Sequence, residues 1–416
     1  MRLNTGYDVI VVGGGMGGVC AAVGAAKEKA RVLLIERYGF LGGMATAGLV
    51  NPFMPYRTKD GRLTSAVFNE ILFRLQKMSA LDVSGQVFDD EIMKFILDQM
   101  IADYGIDVLF HTQLIDARMD QKLISSIITY GKSGALDLEA KIFIDSTGDG
   151  DLAALAGAQV EIGRPKDGLC QPMTLCFRVG GVMGNLSPPA LGKELTEIFH
   201  LAKDKKEIKN PREDILVFGT LVPHIYHFNT TRIIHRDATS TFDLSQAEIE
   251  GRKQVFDLFS LFKSSSPRFK DAYLIKIAPQ IGVRESRRVL GKYKLTMSEV
   301  IEGCKYPDGI ARSNYPIDIH NPDGEGTSIH HLQPGDYYEV PYRCLVPKDI
   351  KNLIVGSRCI SATHEAHSSL RVMPVVAGIG EAAGLAVAWA VKQGILPSRI
   401  DGKKLKASIF HPNDEK

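Results

Sequence analysis

The sequence predicts an α/β protein with a central parallel sheet and an inserted α+β region whose sheet is mostly antiparallel. Three observations support this fold class. Buried-strand and helix patterns alternate over residues 1–160, hairpins and longer crossovers replace them over 161–340, and the first pattern returns over 341–416. We therefore expect one discontinuous domain formed by residues 1–160 and 341–416, with residues 161–340 as a second domain that covers it.

The composition is that of a globular protein without an obvious macromolecular partner. The 416 residues are 44% hydrophobic and 24% charged, with a formal net charge of +2. This balance gives no reason to expect a nucleic acid or an anionic membrane as a partner. No secretory signal precedes the first predicted strand, although a removed export sequence would leave the same chain. The six cysteines form no C-x-x-C pair. We expect a cytoplasmic protein, and the sequence does not indicate its oligomeric state.

Residues 7–36 have the pattern of a strand, a glycine turn, a helix, a second strand and an acid. The apolar, β-branched stretch Tyr7–Val12 predicts a buried strand, and the small-residue segment Val19–Lys29 predicts a helix. Arg31–Ile35 predicts a second buried strand, which ends on Glu36. A unit of this kind is typical of a nucleotide-binding sheet.

The glycine cluster between the first strand and the helix fits G-x-G-x-x-G. Gly13 would permit the tight turn, Gly15 would let a pyrophosphate reach the backbone, and Gly18 would let helix and strand pack closely. N–H groups of the first turn, around Met16 and Gly17, would hold the phosphates. Glu36, eighteen residues after Gly18, is placed to accept hydrogen bonds from a ribose diol. Dinucleotide binding is therefore expected; the alternative is that the glycines only close a tight turn.

A second glycine-rich loop follows the acid at once. It begins with Arg37 and contains an apolar part made of Leu41, Gly42, Gly43, Met44 and Ala45. Its glycines would let the backbone run close to an extended ligand in the same groove. The alternative is a flexible surface loop, which the apolar side chains disfavour.

Further elements of the first segment complete the predicted sheet. They are amphipathic helices over 64–78 and 89–104, a third parallel strand over 107–110, an antiparallel hairpin over 123–130 and 136–140, and a buried strand from residue 141 into a glycine turn. That turn, with Gly148 and Asp149, lies in an acidic run that begins at Asp145. It is not a calcium loop, because threonine holds the third ligand position and alanine holds the place of the bidentate glutamate. We expect a turn that closes over the nucleotide.

The middle segment predicts an antiparallel sheet capped by helices. Strand-like stretches occur at 173–179, 216–222, 226–232 and 273–277, and polar helices near 189–206 and 245–263. Gly180–Gly184 precedes two prolines rather than a helix, so it is not a second dinucleotide site.

Beyond residue 340 the first pattern returns, with a strand over 352–355 that ends in a glycine turn. Pro374 suits the first turn of a helix over 375–393 that is rich in small residues. These small residues would let the helix approach a flat cofactor or the sheet.

Together, these stretches resemble FAD-dependent oxidoreductases of the glutathione-reductase-like fold, particularly the bacterial family related to fumarate reductase flavoproteins. The resemblance rests on residues 8–18, on Glu36 with Gly42-Gly43, on 144–151 and on 353–384. It implies a Rossmann-like FAD-binding domain formed by both ends of the chain. It leaves the middle third, the expected substrate or cap domain, unmatched.

The resemblance also implies residue roles. Gly13, Gly15 and Gly18 would turn the chain at the pyrophosphate, and Glu36 would hold the adenosine ribose. Arg37, Gly42, Gly43, Met44 and Ala45 would line the path to the flavin, the Leu114 backbone would contact adenine, and Met373 and Val375 would bring N–H groups to the pyrimidine edge of the flavin. Ser357 stands where many members have the aspartate that contacts the ribityl chain.

Departures from the family narrow the chemistry. The second glycine loop has no cysteine pair for a dithiol mechanism and no histidine for covalent attachment, so non-covalent FAD is expected. A second G-x-G-x-x-G is absent from the sequence. Electrons should therefore come from the substrate or from a separate donor or acceptor rather than from a built-in nicotinamide domain.

Two polar clusters are candidates for catalysis. The first contains His364, His367 and Arg371, between the last strand and the flavin-facing helix; histidine can take a hydroxyl proton and arginine can anchor a carboxylate. The second contains Arg284, followed by Arg287 and Arg288, which would bind an anionic or polyhydroxylated substrate. The alternatives are that the first cluster satisfies loop backbone and caps the helix, and that the second is a helix start paired through Glu285. No metal site is expected, since the two histidines of the first cluster are not four residues apart.

The function expected from these observations is oxidation of a small polar substrate at a C–OH or C–N centre, or the reverse reduction, with hydride transfer to or from FAD. One alternative is an enzyme that holds flavin or NAD for a non-redox role, such as a hydratase, isomerase or synthase. Another is a non-catalytic dinucleotide-binding module, which the histidine-rich segment beside the cofactor helix argues against.

Overall fold

A computed structural model describes residues 6–59 and 61–410. The strands in this part of the chain are β1 (Tyr7–Val12), β2 (Val32–Ile35), β3 (Arg57–Thr58), β4 (Gly61–Arg62), β5 (Asp107–Leu109), β6 (Gln113–Asp120), β7 (Leu123–Gly131), β8 (Gly134–Leu138), β9 (Ala140–Asp145), β10 (Val160–Ile162), β11 (Phe177–Gly180), β12 (Val217–Gly219), β13 (Tyr226–Phe228), β14 (Tyr273–Ile277), β15 (Arg287–Val289), β16 (Gly309–Ser313), β17 (Ile317–His320), β18 (Thr327–His330), β19 (Tyr338–Pro341) and β20 (Leu353–Val355). The α-helices are α1 (Met16–Lys27), α2 (Ala66–Lys77), α3 (Asp90–Asp103), α4 (Asp151–Leu155), α5 (Pro188–Asp204), α6 (Thr241–Ser265), α7 (Met297–Ile301), α8 (His364–Leu370), α9 (Met373–Gln393) and α10 (Gly402–Ile409).

A five-stranded parallel sheet lies at the centre of the fold. Its strand order is β20-β9-β1-β2-β5, so strands from both ends of the chain are neighbours. In β1, Val9 pairs with Val32 of β2 and with Ile142 of β9, and all three side chains are buried. Apolar side chains fill these strands because both faces of the sheet are covered. The predicted class, mixed α/β with a central parallel sheet and additional antiparallel sheets, is confirmed.

Helices α1 and α9 pack against each other through glycines. A Cβ added to Gly380 would lie 2.0 Å from the Gly17 carbonyl oxygen, and one added to Gly384 would lie 2.0 Å from the Ala21 carbonyl oxygen. Alanine side chains cannot occupy that space, so the small residues of α9 set how closely the helices approach. The sequence predicts that these small residues let α9 approach a cofactor or the sheet; the helix does contact β1, β9 and β20, but it packs chiefly on α1.

The described residues also form six antiparallel sheets, of which the two largest have three and four strands. The predicted hairpin is present as β7 and β8, and an unpredicted strand, β6, extends it to a three-stranded meander. The middle segment forms a four-stranded sheet of order β12-β13-β11-β14, as expected for the predicted strands.

The buried apolar side chains form two clusters. One surrounds the parallel sheet and also includes Ile310 of β16 and Val340 of β19. The other contains Leu49 and residues between 173 and 283, from the four-stranded sheet with α5 and α6. The division of the chain at residues 160 and 340 stays a prediction.

Helix α9 is long and apolar enough by composition to cross a membrane, and it is the one such helix in residues 6–59 and 61–410. Of its most apolar window, 89% is buried inside the fold. It has the burial of a core helix.

Candidate active site

A long groove opens at the carboxyl ends of the parallel strands, where open α/β sheets bind ligands. Val12, Ile35 and Ser146, at or just beyond the ends of β1, β2 and β9, line it. Of the residues predicted to contact a cofactor, those that line this groove are Gly13, Gly15, Met16, Gly17, Glu36, Arg37, Gly42, Gly43, Met44, Leu114, Gly148, Asp149, Ser357 and Met373. Gly18, Ala45 and Val375 do not line it but are neighbours of lining residues in the sequence. The structure therefore brings most of the predicted cofactor residues to one place.

The two glycine loops form a single cradle. Gly13 has a φ of +99°, and a Cβ added to Gly18 would lie 1.7 Å from the Gly13 carbonyl oxygen, so a tight turn here requires both glycines. The N–H of Gly42 donates to the carbonyl of Gly14 at 2.9 Å, which joins the second loop to the first. A Cβ added to Gly15 would meet only the Cα of Gly43, at 3.8 Å. Open space beside bare backbone at the start of α1 suits a pyrophosphate.

Glu36 is a buried acceptor at the next position along the groove. It is 6% exposed, and its carboxylate accepts hydrogen bonds from Gly14 N at 2.6 Å and Tyr38 N at 2.9 Å. Burial raises the pKa of this carboxyl group, while the two N–H donors act against that rise. Each carboxylate oxygen has a second lone pair, so both can still accept from a ribose diol. Thr112, Gln113 and Leu114 line the groove beside it.

The turn after β9 lines the groove and is held by its own carboxylates. Asp145 is buried and accepts from Thr147 N, Thr147 Oγ1 and Ala153 N at 3.1, 2.7 and 2.8 Å, and burial raises its pKa to about 6. Asp149 accepts from Ser286 Oγ at 2.6 Å and from Arg358 Nη2 at 2.7 Å. The acidic run therefore fixes the turn. Within residues 6–59 and 61–410, no three histidine, cysteine, aspartate or glutamate side chains are grouped as ligands of a metal.

The C-terminal wall of the groove is the start of α9. Pro374 lies in the first turn, as predicted, and Val372 caps the helix without a side-chain hydrogen bond. Met373 lines the groove, whereas the N–H of Val375 donates to Val372 O at 3.1 Å. Of the two residues predicted to bring N–H groups to the flavin, Met373 is thus the one at the groove.

The structure does not bring His364 and His367 to the groove. Both are in α8, which the sequence analysis did not predict, and they are 3% and 1% exposed. His364 Nδ1 lies 2.9 Å from the Glu285 carboxylate, which also pairs with Arg288 and accepts from Gln171 N. Burial lowers the pKa of His367 well below its usual range. Of the alternative given for residues 284–288, the pairing through Glu285 is present, but the helix start is not, because residues 287–289 form β15.

Arg284 and Arg371 do line the groove, and they meet a polar group that the sequence analysis missed. Tyr315, Asp318 and His320 also line this end. Tyr315 donates to Asp318 Oδ2 at 2.7 Å, and Oδ2 lies 3.6 Å from His320 Nε2 and 3.9 Å from Arg371 Nη2. Asp318 and His320 are two residues apart in β17, which places them on one face of the strand. That spacing is the sequence signal that could have indicated them.

The groove fits FAD by its own chemistry. It has a bare glycine cradle at a helix start, a buried carboxylate beyond it and the start of a second helix at the far end, in the order that a single extended dinucleotide requires. The predicted lining residues come from both ends of the chain, as one long ligand would need.

Comparisons with known proteins agree with this fit. A family model described as FAD dependent oxidoreductase matches residues 8–409. Over 46 residues the chain is 48% identical to soluble pyridine nucleotide transhydrogenase of Erwinia tasmaniensis, a match that covers 11% of this chain and only 10% of that protein.

Two solved structures resemble this chain, and the first shares its fold. A triple mutant of the flavin-dependent brominase Bmp2 superposes with a TM-score of 0.50 at 12% identity, covering 97% of this chain and 83% of that one. A geranylgeranyl bacteriochlorophyll reductase-like protein from Thermoplasma acidophilum gives a TM-score of 0.46 at 14% identity, covering 94% and 80%. Since the family model spans nearly the whole chain, this protein belongs to the FAD-dependent oxidoreductase family, with FAD as its cofactor.

Proposed function

We propose that this protein oxidises a small polar substrate, or runs the reverse reduction, by hydride transfer to or from FAD that it holds non-covalently. The observation that carries the proposal is that Arg284, Asp318 and Arg371 line the same groove as the glycine cradle. Residues 1–160 and 341–416 would form the FAD domain, of the glutathione-reductase-like fold and related to fumarate reductase flavoproteins. Residues 161–340 would form the substrate or cap domain, and Arg371 would join the substrate site from the second part of the FAD domain. We further propose a cytoplasmic location and a separate electron donor or acceptor.

FAD, when bound, supplies a two-electron acceptor or donor, and the protein must move a proton and orient the substrate. Asp318 is suited to accept the proton of the substrate. Its Oδ2 atom is engaged by Tyr315, His320 and Arg371, whereas its Oδ1 atom has no hydrogen-bond partner in the described part of the chain. We assign Oδ1 as the acceptor of the substrate proton, a role the sequence analysis gave to His364 and His367.

His320 holds this acid in place as a neutral ring. Arg232 Nη2 donates to His320 Nδ1 at 3.2 Å, and because a guanidinium can only donate, Nδ1 must be the unprotonated nitrogen. The proton is therefore on Nε2, on the side of Asp318. Burial, with the positive charge of nearby arginines, lowers the pKa of His320 well below its usual range. His320 thus orients Asp318 without competing for the proton.

The test is an Asp318→Asn variant with Asp323→Asn as its matched control. Asp323 is in the turn between β17 and β18 and its carboxylate pairs with Arg164 at 2.7 Å. A panel of small alcohols and amines is first screened for anaerobic bleaching of the flavin bands. With a substrate found in this way, Asp318→Asn should retain FAD and bleach about 10²- to 10⁴-fold more slowly, the usual range for a lost general base. Asp323→Asn should match the parent.

Three results would count against the proposal. Absence of flavin from the purified protein would remove the cofactor from the reaction. Asp318→Asn that bleaches at the parental rate would remove that residue. Turnover of a substrate without bleaching would favour the non-redox alternative.

A further inference from the structure

We propose that Arg284 and Arg371 form a binding site for the carboxylate of the substrate, and that the substrate is a small 2-hydroxy carboxylate. This inference rests on the proposed function, since it names the substrate class of the same site. Three properties of the groove support this proposal: the arginines have unused hydrogen-bond donors, this end of the groove has a net positive charge, and Arg371 lies beside Asp318.

Both guanidinium groups have donors without a protein acceptor. Arg284 Nη1 donates to Pro172 O at 2.7 Å and to Thr174 Oγ1 at 2.5 Å, and these are the hydrogen bonds of its side chain within residues 6–59 and 61–410. In the same ranges Arg371 has one ion-pair contact, to Asp318 at 3.9 Å, and its buried Nε has no hydrogen-bond partner. A guanidinium carries five N–H donors, and leaving them unmet in a buried site costs free energy. A bound carboxylate would accept from both groups.

The charge of this end of the groove is matched by one carboxylate. Arg284 and Arg371 contribute two positive charges, Asp318 contributes one negative charge, and His320 is neutral, which leaves one positive charge. The two arginines behind them have their own partners: Arg232 lies 3.1 Å from Glu213, and Arg212 lies 3.3 Å from Asp214. A monocarboxylate neutralises the remaining charge. A doubly charged phosphate would overcompensate it, and a zwitterionic amino acid would leave it in place.

The position of the acid defines where the substrate reacts. Asp318 lies 3.9 Å from Arg371, so a carboxylate on Arg371 is adjacent to Asp318. The group next to that carboxylate in the substrate is then the one that Asp318 can reach. A hydroxyl on the carbon next to the carboxylate would meet Asp318 Oδ1, the oxygen without a hydrogen-bond partner in the described ranges. This places the proton-bearing group of a 2-hydroxy acid at the proposed base.

The experiment uses an acid that cannot be oxidised. 2-Hydroxyisobutyrate carries the 2-hydroxy carboxylate group but has no hydrogen on carbon 2. Its binding to the FAD-loaded enzyme is measured by isothermal titration calorimetry and by the change in the visible flavin spectrum. We expect the amide 2-hydroxyisobutyramide, 2-aminoisobutyrate and inorganic phosphate each to bind at least tenfold more weakly.

The arginines are tested by Arg284→Met, Arg371→Met and Arg371→Lys. Each methionine variant should weaken 2-hydroxyisobutyrate binding by about tenfold to a hundredfold, the loss expected for hydrogen bonds between charged groups, and Arg371→Lys should recover part of that loss. The control is Arg252→Gln, which removes an exposed charge from α6 that is paired with Glu248 and should leave binding unchanged. FAD content, read from the absorbance ratio, checks that each variant is folded and loaded.

The outcomes separate this inference from the proposed function. Equal binding of phosphate would overturn the carboxylate assignment, and equal binding of 2-aminoisobutyrate would overturn the 2-hydroxy assignment. A substrate that bleaches the flavin while the arginine variants bind 2-hydroxyisobutyrate like the parent would refute the inference and leave hydride transfer standing. Arginine-dependent binding with no bleaching by any 2-hydroxy acid would support the anion site and count against hydride transfer.

Discussion

Replacing Gly380 by alanine should push apart the two helices that frame the cofactor groove. An ideal Cβ at this position lies 2.0 Å from the carbonyl oxygen of Gly17, which is backbone and cannot rotate away. Carbon and carbonyl oxygen approach to about 3.3 Å without repulsion. Helix α9 must therefore move by roughly 1 Å relative to α1, and Gly17 itself lines the groove.

The expected effect is the difference between two opposing terms. Alanine is favoured over glycine in a helix interior by about 1 kcal/mol, whereas inserting an atom into a well-packed core costs about 1–3 kcal/mol and sometimes more. At 2.0 Å from backbone the upper part of that range applies. We expect a net destabilisation of about 1–2 kcal/mol, and a loss of FAD affinity on the order of tenfold, which is about 1.4 kcal/mol, because the phosphate cradle moves with α1.

The assay compares thermal melting with and without added FAD, together with FAD affinity from the recovery of flavin fluorescence on release. Gly378→Ala is the matched control: it changes the same helix, but its Cβ would lie 3.3 Å from the methyl group of Ala311, a contact that a small shift relieves. If Gly380→Ala melts at or above the parental temperature and binds FAD as tightly, close packing of α1 on α9 does not set the geometry of the groove.

Two further predictions concern buried carboxylates. Burial raises the pKa of Glu36, and only the ionised form can accept from both ribose hydroxyls, so FAD affinity should fall as the pH is lowered from 8 to 5. Glu36→Gln should bind FAD about tenfold to a hundredfold more weakly, with an affinity that does not change with pH. A parental pH dependence in this variant would refute the role of Glu36. Glu285→Gln should destabilise the fold by about 3 kcal/mol, because it removes the carboxylate that pairs most closely with the buried Arg288. Glu161→Gln removes a half-exposed carboxylate 3.9 Å from the same arginine and should cost less than about 1 kcal/mol in chemical denaturation.

The parts of the fold that depend on local pattern were predictable. The unit from β1 to Glu36 is determined by neighbouring residues: apolar runs for two buried strands, glycines for the turn between them and an acid at the end of the second. Helices α2 and α3 start and end within about two residues of their predicted bounds, since each has a clear apolar stripe.

The substrate end could not be predicted in the same way, because it depends on contacts between distant segments. The 359–371 stretch gives no sign that α8 turns its histidines away from the groove. His364 Nδ1 instead lies 2.9 Å from the carboxylate of Glu285, seventy-nine residues earlier. Likewise, Asp318 reaches the groove because its N–H donates to Ser368 Oγ, fifty residues later, at 3.0 Å. Neither of these long-range contacts can be inferred from the hydrophobic periodicity of a single sequence.

The sharing of the groove between β1 and α9 has a consequence for biosynthesis. The glycine cradle is synthesised more than three hundred residues before the wall formed by Ser357, Met373 and Val376. Strand β20 adds to the sheet beside β9 only after the middle segment has been synthesised. A nascent chain must therefore extend past residue 376 before it can enclose a flavin, and chains truncated before that residue should be free of FAD.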